Sequence, residues 1–436
     1  MTHDSATSGG TPEVGLEGLL SYEQALSRVL AAARELGPVG AEEVSLEEAA
    51  GRVLAEDVVA REDVPLASRA TMDGYAVRAR DVAQASEKSP VVVRVLQTVT
   101  AGSQASARVG PLECVRVMTG VPLPPGADAV VPQEVTAPQP GGAIAVMRPV
   151  GPGANTFAAG GDIRAGEVAL REGRMLTAGA VGLLAALGRV RVRVRRRPVF
   201  AVVATGDEVV EASAPRLGPG QVRNSNAYAL GAQLRAWGAS VRLAGVARDD
   251  EGALRDTVLA AMEQADALAI TGGMSVGLRD LVHATLAALG VQWRFHRVAI
   301  RPGRPVAFGV WDGRPVFGLP GTPGGAMVAA ELFMRPLVRV WLGHPWHPPE
   351  LTGTLATPLE MAPGRMRWLR ARAWLSGGRL VVEPLARQSS SSVRSPAEAR
   401  VLVAIPVEVE RLPAGAEVRV RLLADTEWDG LPGAAG

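Results

Sequence analysis

The chain has 436 residues, 47% of them hydrophobic, with 46 Lys plus Arg against 44 Asp plus Glu and a formal net charge of +2. That length exceeds one ordinary core and implies roughly two to four domains. The balanced charge argues against a dedicated nucleic-acid binder, and the absence of any run of about 18 apolar residues argues against a membrane span, so a soluble, cytoplasmic protein is expected.

Residues 1–16 are small and polar and read as a disordered tail, as do residues 426–436. SYEQALSRVLAAAREL, 21–36, predicts an amphipathic helix with Ser21 as N-cap and Gly37 as stop. LEEAAGRVLAEDVVA, 46–60, predicts a short helix turning into a strand. From 61 to 149 short β-rich runs alternate with Gly and Pro, which predicts a small β domain. Cys114, the only cysteine, lies in the apolar run ECVRVM. It excludes an intrachain disulfide and reads as a buried strand residue. Residues 150–196 return to mixed structure and pair with 17–60 as one discontinuous domain. RVRVRRRP, 191–198, alternates Val with Arg and reads as a strand with one solvated face.

Over 197–345 strands alternate with helices, which predicts a mostly parallel sheet with right-handed crossovers. Its runs are PVFAVVATGDE, SNAYALGAQLRAWG, SVRLAGVARDD, EGALRDTVLAAMEQA, DALAITGG, RDLVHATLAALG, RPVAFGV, RPVFGLP and a closing helix GGAMVAAELFMRPLVRVWLG. HPWHPP is a linker, since its prolines forbid a helical metal pair. A β-rich segment, 346–425, follows as a C-terminal domain. The fold class expected is therefore multidomain α/β plus β: a three-layer α/β domain, a small β domain, a mixed N-terminal domain and a C-terminal β domain.

Ligands of open parallel sheets bind outside the carboxyl ends of the strands. Four loops of the α/β segment fall there: TGDE (205–208), RDD (248–250), TGGMSVGLRD (271–280) and GLPGTPGG (318–325). Their glycines admit a ligand to the backbone, and the helix starts that follow favour an anion. Ser275 offers a hydroxyl. Glu208 belongs to a tight turn with two carboxylates, suited to Mg²⁺ beside a phosphate. Asp280 either joins it or merely favours a first helical turn, and Asp249 and Asp250 either join it or cap the next helix. No GxxxxGK[ST] and no GxGxxG opens the α/β unit, which disfavours P-loop NTPases and nucleotide dehydrogenases.

Taken together, SRATMDGYAVRARD (68–81), RVMTGVPLPPGADAVVPQE (116–134), GGDIRAGE (160–167), ATGDEVV (204–210), GQVRNSNAYAL (220–230), TGGMSVGLRD, RPGRPVAFG (301–309) and GLPGTP (318–323) stand in one order. In that order they resemble the molybdopterin molybdenumtransferases, the MoeA family, which includes the C-terminal module of gephyrin. The resemblance covers about 17–425. It implies a homodimer of four-domain subunits with a MogA-like molybdopterin-binding domain. It implies insertion of molybdate into adenylylated molybdopterin with release of AMP, assisted by Mg²⁺. A molybdopterin adenylyltransferase and molybdoenzymes are the implied partners. The implied catalytic positions are Asp73, Thr119, Glu208, Asp249 and Asp280, with Glu208 and Asp280 as metal ligands. The implied cofactor-binding positions are Asp162, Thr205, Gly206, Asn224, Ser225, Gly272, Gly273, Ser275, Gly277, Arg301, Arg304, Pro320 and Gly321. Arg301 and Arg304 would bind phosphate or molybdate, as Arg forks suit oxyanions. Outside the resemblance, RPGRP reads as a solvated turn.

The chain departs from the family pattern in several places. Arginines stand at 301 and 304 where lysines are usual, and Lys88 is the only lysine present. Gly161, Asn224 and Thr322 replace the usual Glu, acidic residue and Asn, and Gly324 or Gly325 replaces a small polar residue. QSSSSVRSPAEAR, 388–400, replaces a Gly/Ser-rich loop. Two readings of the function stay open: a transferase, or a non-catalytic carrier that holds molybdopterin and delivers it to a partner. A scaffold role rests on the gephyrin likeness alone.

Overall fold

The computed structural model describes residues 19–274, 281–344 and 346–423. Two compact units emerge, one of residues 43–194 and one joining 1–42 to 195–436. Helix α1 (Tyr22–Leu36) opens the latter. Ser21 caps it by accepting from the Gln24 N–H while the Gln24 side chain accepts from Ser21, and Gly37 ends it at φ +71°.

The unit of residues 43–194 is built on six strands: β1 (Gly74–Val77), β2 (Val91–Val99), β3 (Glu113–Val117), β4 (Ala129–Pro132), β5 (Thr136–Gln139) and β6 (Ala143–Val146). Their order is β4-β1-β3-β2-β6-β5, antiparallel except for β2 beside β3. Cys114 is fully buried on β3, and burial pushes its thiol up to about 12. It is a core residue, inert as a nucleophile. Helix α2 (Ala178–Ala186), capped by Thr177, and β7 (Arg191–Arg195) serve a second core. On β7 Val192 and Val194 point inward while Arg191 and Arg193 face solvent beside Glu43 and Glu56, as the alternation predicts.

The other unit carries a six-stranded sheet and a barrel. The sheet strands are β8 (Val199–Thr205), β9 (Ser240–Ala247), β10 (Ala267–Thr271), β11 (Gln292–His296), β13 (Ala307–Trp311) and β14 (Arg314–Leu319). Their order is β9-β8-β10-β14-β13-β11, with β13 running against its neighbours. Helices α3 (Asn226–Ala236), α4 (Glu251–Met262) and α5 (Leu281–Ala288) follow β8, β9 and β10. The closing helix is not one rod. Helix α6 (Pro323–Ala329) passes through a π turn (Ala330–Met334) into α7 (Arg335–Trp341). Pro336 lacks an N–H and clashes with the carbonyl four residues back, which the wider turn relieves.

Between β11 and β13, the two-residue strand β12 (Ile300–Arg301) leaves the α/β sheet and pairs in parallel with the barrel. The barrel strands are β15 (Glu350–Leu355), β16 (Met366–Ser376), β17 (Arg379–Pro384), β18 (Val401–Ile405) and β19 (Glu417–Leu422). Pairing runs β16-β17-β15-β19-β18 and closes from β18 back to β16. The whole is the multidomain α/β-plus-β class expected. The sequence reading omitted β19, whose Val418 and Val420 fill the barrel core while Arg421 is also buried.

Arg421 donates to Glu350 and, at 2.7 Å, to the Tyr22 hydroxyl, and its guanidinium lies 4.5 Å from the Trp368 ring centroid. Arg421→Met should destabilise the protein by about 1–3 kcal/mol, because it removes one of the two guanidiniums, Arg421 and Arg419, that pair with half-buried Glu350. The double variant with Glu350→Gln should recover part of that loss. Urea unfolding of the three variants is the check.

Candidate active site

The carboxyl ends of β8, β10 and β14 meet in parallel register, with Ala204 beside Thr271 and Thr271 beside Leu319. Here the backbone turns sharply. Gly272 has φ +103°, and a Cβ there would stand 2.4 Å from the Thr205 carbonyl oxygen; one on Gly273 would stand 2.3 Å from Val282. Gly272 is required by packing of one strand end on the next, and Gly273 by the approach of α5. Beyond them a cavity of about 580 Å³ opens, lined by Thr205, Glu208, Asn224, Ser225, Asn226, Thr271, Gly321 and Thr322, with Leu217, Val222 and Val393 as exposed apolar faces.

The polar groups of this cavity divide into those already used and those left over. Asn224 is buried, and its side chain accepts from the Ala227 N–H, so Asn224 rather than Ser225 caps α3; the Ser225 side chain makes no cap bond. Asn226, which the sequence reading passed over, donates to the Thr271 hydroxyl at 2.9 Å and to the Gly321 carbonyl at 2.8 Å. Thr271 in turn donates to the Pro320 carbonyl. Two buried oxygens of this cavity have no partner among the described residues, Thr205 Oγ1 and Asn226 Oδ1. Buried polar atoms of this kind are costly unless something binds them. The signal for Asn226 was present in RNSN, where a second Asn opens the helix.

Glu208 is exposed at the cavity, its carboxylate over the Gly206 Cα and without an ion pair among the described residues. Asp250 is the N-cap of α4, accepting from Ala253 at 2.8 Å. Asp249 donates its backbone N–H to Asp207, and its carboxylate is not among the cavity walls. Ser275, Gly277 and Asp280 lie outside the described residues. Among the described residues no group of three or more His, Cys, Asp and Glu side chains forms a metal site. One free carboxylate still suits Mg²⁺, which takes one or two carboxylates and completes its shell with water and substrate phosphates.

A second cavity, about 590 Å³, adjoins the first. Thr322 lines both, and the consecutive residues Ser390 and Ser391 line one each. Its charged walls are Arg301, Arg304, Arg365 and Arg367, with Pro320 beside them and, among the described residues, no carboxylate. RPGRP is therefore a cavity wall, with Arg301 exposed and Arg304 half-buried. The β12–β16 register sets Arg301 next to Arg367, a like-charge pair that disfavours the sheet. Burial, then the charges of Arg365 and Arg297, lowers the affinity of Arg304 for its proton; burial, then Arg301 and Arg365, does the same to Arg367. Arg365 and Arg367 were not singled out from sequence.

Arg370 was also missed. It is 1% exposed, donates to the Ser389 carbonyl at 3.0 Å, and leaves Nε and Nη1 without partners. It lies on the same buried face of β16 as Met366 and Trp368, so period-two counting from Trp368 would have found it. Gln388 grips the same strand, accepting from the Arg370 N–H and donating to its carbonyl. This clamp holds the serine loop between the two cavities.

In the unit of residues 43–194, Asp73 and Thr119 are brought together: the Thr119 N–H and hydroxyl donate to one Asp73 oxygen at 2.8 and 2.9 Å. The backbone bond first, then the hydroxyl bond, holds the Asp73 carboxyl below its ordinary value. Asp162 is exposed, its backbone fixed by the Val64 carbonyl. At Gly161 a Cβ would meet the Ala158 carbonyl at 2.9 Å and the Phe157 ring at 3.1 Å, which accounts for the lack of a glutamate there.

Three family models match in order along the chain: MoeA N-terminal region (domain I and II) over residues 20–188, probable molybdopterin binding domain over 201–340, and MoeA C-terminal region (domain IV) over 352–423. A molybdopterin molybdenumtransferase of Bacillus subtilis (strain 168) is 36% identical over 392 residues, covering 88% of this chain and 91% of that protein. The chain belongs to the molybdopterin molybdenumtransferase family. It is an enzyme, and its class is transferase. Molybdopterin molybdenumtransferase 1 of Mycobacterium tuberculosis (strain ATCC 25618 / H37Rv) is 36% identical over 430 residues, 93% of this chain and 99% of the relative. The solved molybdopterin biosynthesis moeA protein from Pyrococcus horikoshii OT3 superposes with a TM-score of 0.80 at 31% identity, covering 93% and 100% of the two chains. No helix among the described residues is long and apolar enough to cross a membrane.

Two outcomes follow from this geometry. The Asp73 shift is downward, so the Thr119 bonds contribute above the ordinary Asp range and are lost as pH falls through the lowered value. Carboxyl carbon NMR should give Asp73 a midpoint below an ordinary Asp, moving back up in Thr119→Val. In the arginine cavity an oxyanion relieves repulsion, so molybdate at constant ionic strength should raise the melting temperature. Arg304→Ser should be at least as stable without anion and should gain less from molybdate.

Proposed function

We propose that this chain inserts molybdate into adenylylated molybdopterin in the cytoplasm, as a homodimer, with Mg²⁺ assistance and release of AMP. One observation carries the reading. Two adjoining cavities share the Thr322 and serine-loop wall, one apolar with unpartnered oxygens, the other lined by four arginines and, among the described residues, no carboxylate. A substrate with a flat ring at one place and an oxyanion at another needs such a pair.

The apolar faces of Leu217, Val222 and Val393 suit a heterocyclic ring, whose desolvation favours binding. Thr205 Oγ1 and Asn226 Oδ1 supply the hydrogen bonds that fix its orientation. The guanidinium forks of the second cavity hold a tetrahedral oxyanion where the insertion occurs. Glu208, at the edge of the first cavity, would hold Mg²⁺ together with the substrate's diphosphate; Asp280 is its candidate second ligand. When bound, the ion would offset the diphosphate charge and make the AMP a better leaving group. Glu208 also serves to orient the water that cleaves the diphosphate.

The test is turnover of purified protein with adenylylated molybdopterin, Mg²⁺ and molybdate, following AMP and bound molybdenum. AMP release should require molybdate and fall at least roughly a hundredfold in Glu208→Ala. Tight pterin binding with no AMP release from the unaltered protein would leave the carrier reading in its place.

A further inference from the structure

Of the described residues that line the first cavity, Glu208 carries the one negative charge and Arg223 the one positive charge. A short ladder ties them together. Val209–Val210 and Val222–Arg223 are two-residue strands paired in parallel, with the Val222 N–H donating to the Glu208 carbonyl and the Asn224 N–H to the Val210 carbonyl, each at 2.8 Å. Both charged side chains are exposed at the cavity, and neither forms an ion pair with the other or with any other described residue. The Arg223 guanidinium is anchored all the same. Its Nη2 donates to the Ala214 carbonyl at 2.8 Å, in the loop 211–221 that brings Leu217 to the same cavity. Part of the guanidinium fork is thus spent on backbone, and its other N–H groups remain for a ligand.

On the reading that the substrate is adenylylated molybdopterin, we propose that Arg223 binds its diphosphate, alongside the ion that Glu208 would hold. Charge selects this residue. A diphosphate joined to an organic group at each end carries one negative charge on each phosphate, and Glu208 adds a third. With one divalent cation on Glu208, a single positive charge is still wanting, and Arg223 supplies it in the fork geometry that suits phosphate oxygens. None of the four arginines of the second cavity lines the first, so none of them takes this part. Without Arg223 the loaded cavity keeps a net negative charge against its apolar faces, which is costly. The simpler role, an anchor for the loop alone, is separated from this one by chemistry: glutamine keeps a donor for the Ala214 carbonyl without the charge, and lysine keeps the charge.

Calorimetric titration of the full chain with adenylylated molybdopterin, with Mg²⁺ present and molybdate absent, tests the proposal. Arg223→Gln should weaken binding at least roughly tenfold, and Arg223→Lys should recover part of the loss. Raising the KCl concentration should weaken binding to the unaltered chain more than to Arg223→Gln, since the charge that salt screens is gone from the variant. Both variants should melt near the temperature of the unaltered chain. Affinity that survives in Arg223→Gln would overturn the role of Arg223 and leave the proposed function standing. Equal weakening in the Gln and Lys variants would do the same, as the mark of a loop effect without charge. Failure of the unaltered chain to bind adenylylated molybdopterin would overturn both.

Discussion

Arg421 brings a full positive charge to a place water does not reach, and the segments around it are arranged to make that tolerable. The Glu350 carboxylate, at the start of β15, supplies the countercharge. The Tyr22 hydroxyl, at the start of α1, accepts a hydrogen bond, and the faces of Tyr22, Trp346 and Trp368 surround the guanidinium. A buried ion of this kind is weak evidence of net stability but strong evidence of specificity, since few other arrangements satisfy it. It fixes α1, met first in the chain, against the last barrel strand. Tyr22 also packs edge-on against Trp368 and near Phe333 of the π turn. The rest of this unit hangs from that junction: the barrel is held where β12 can join it, and β12 carries the arginines to the cavity.

Arg370 is the opposite case. It is as deeply buried yet has no countercharge among the described residues, and burial lowers its hold on its proton. Its room comes from the neighbouring loop. A Cβ at Gly324 would stand 2.1 Å from Arg370 Nη1, and one at Gly325 would stand 2.7 Å from Thr322 Oγ1. Gly325 is therefore linked by contact to the departure at Thr322, and Gly324 to Arg370. A larger residue at 324 displaces Arg370, and Arg370 holds the Ser389 carbonyl of the wall between the cavities.

The sequence made the regular elements legible because their periodicity and caps are local. The Ser21 capping box, the Val/Arg alternation of β7 and the strand-helix grammar after residue 197 needed nothing from distant residues. The loops of the first cavity were legible for a different reason: strands of a parallel sheet all end on one side. What stayed hidden depended on pairing across the chain. No local signal places Arg365 and Arg367 beside Arg301 and Arg304, because a strand of two residues, β12, makes the junction. Arg421 was hidden because a polar residue on an alternating strand reads as outward, as Glu417 and Arg419 are, whereas the end of β19 is covered by Tyr22, Trp346 and Trp368. Three residues of the TGGMSVGLRD loop, Ser275, Gly277 and Asp280, fall outside the described residues, while Thr205 and Asn226 carry the unsatisfied oxygens.

The Arg301–Arg367 register has a consequence for how the molecule assembles. The α/β sheet does not need the barrel to close its own strands, but β12 has no ladder until β16 arrives. The repulsion of Arg301 and Arg304 by Arg365 and Arg367 is therefore absent from a chain in which only the α/β sheet has formed, and it appears when the barrel docks. Docking is thus the step that creates the arginine-lined cavity, opposed by its electrostatics and favoured by the Arg421 junction. Oxyanion in the surrounding solution would act on that late step alone, helping the barrel to stay docked without touching the formation of the sheet.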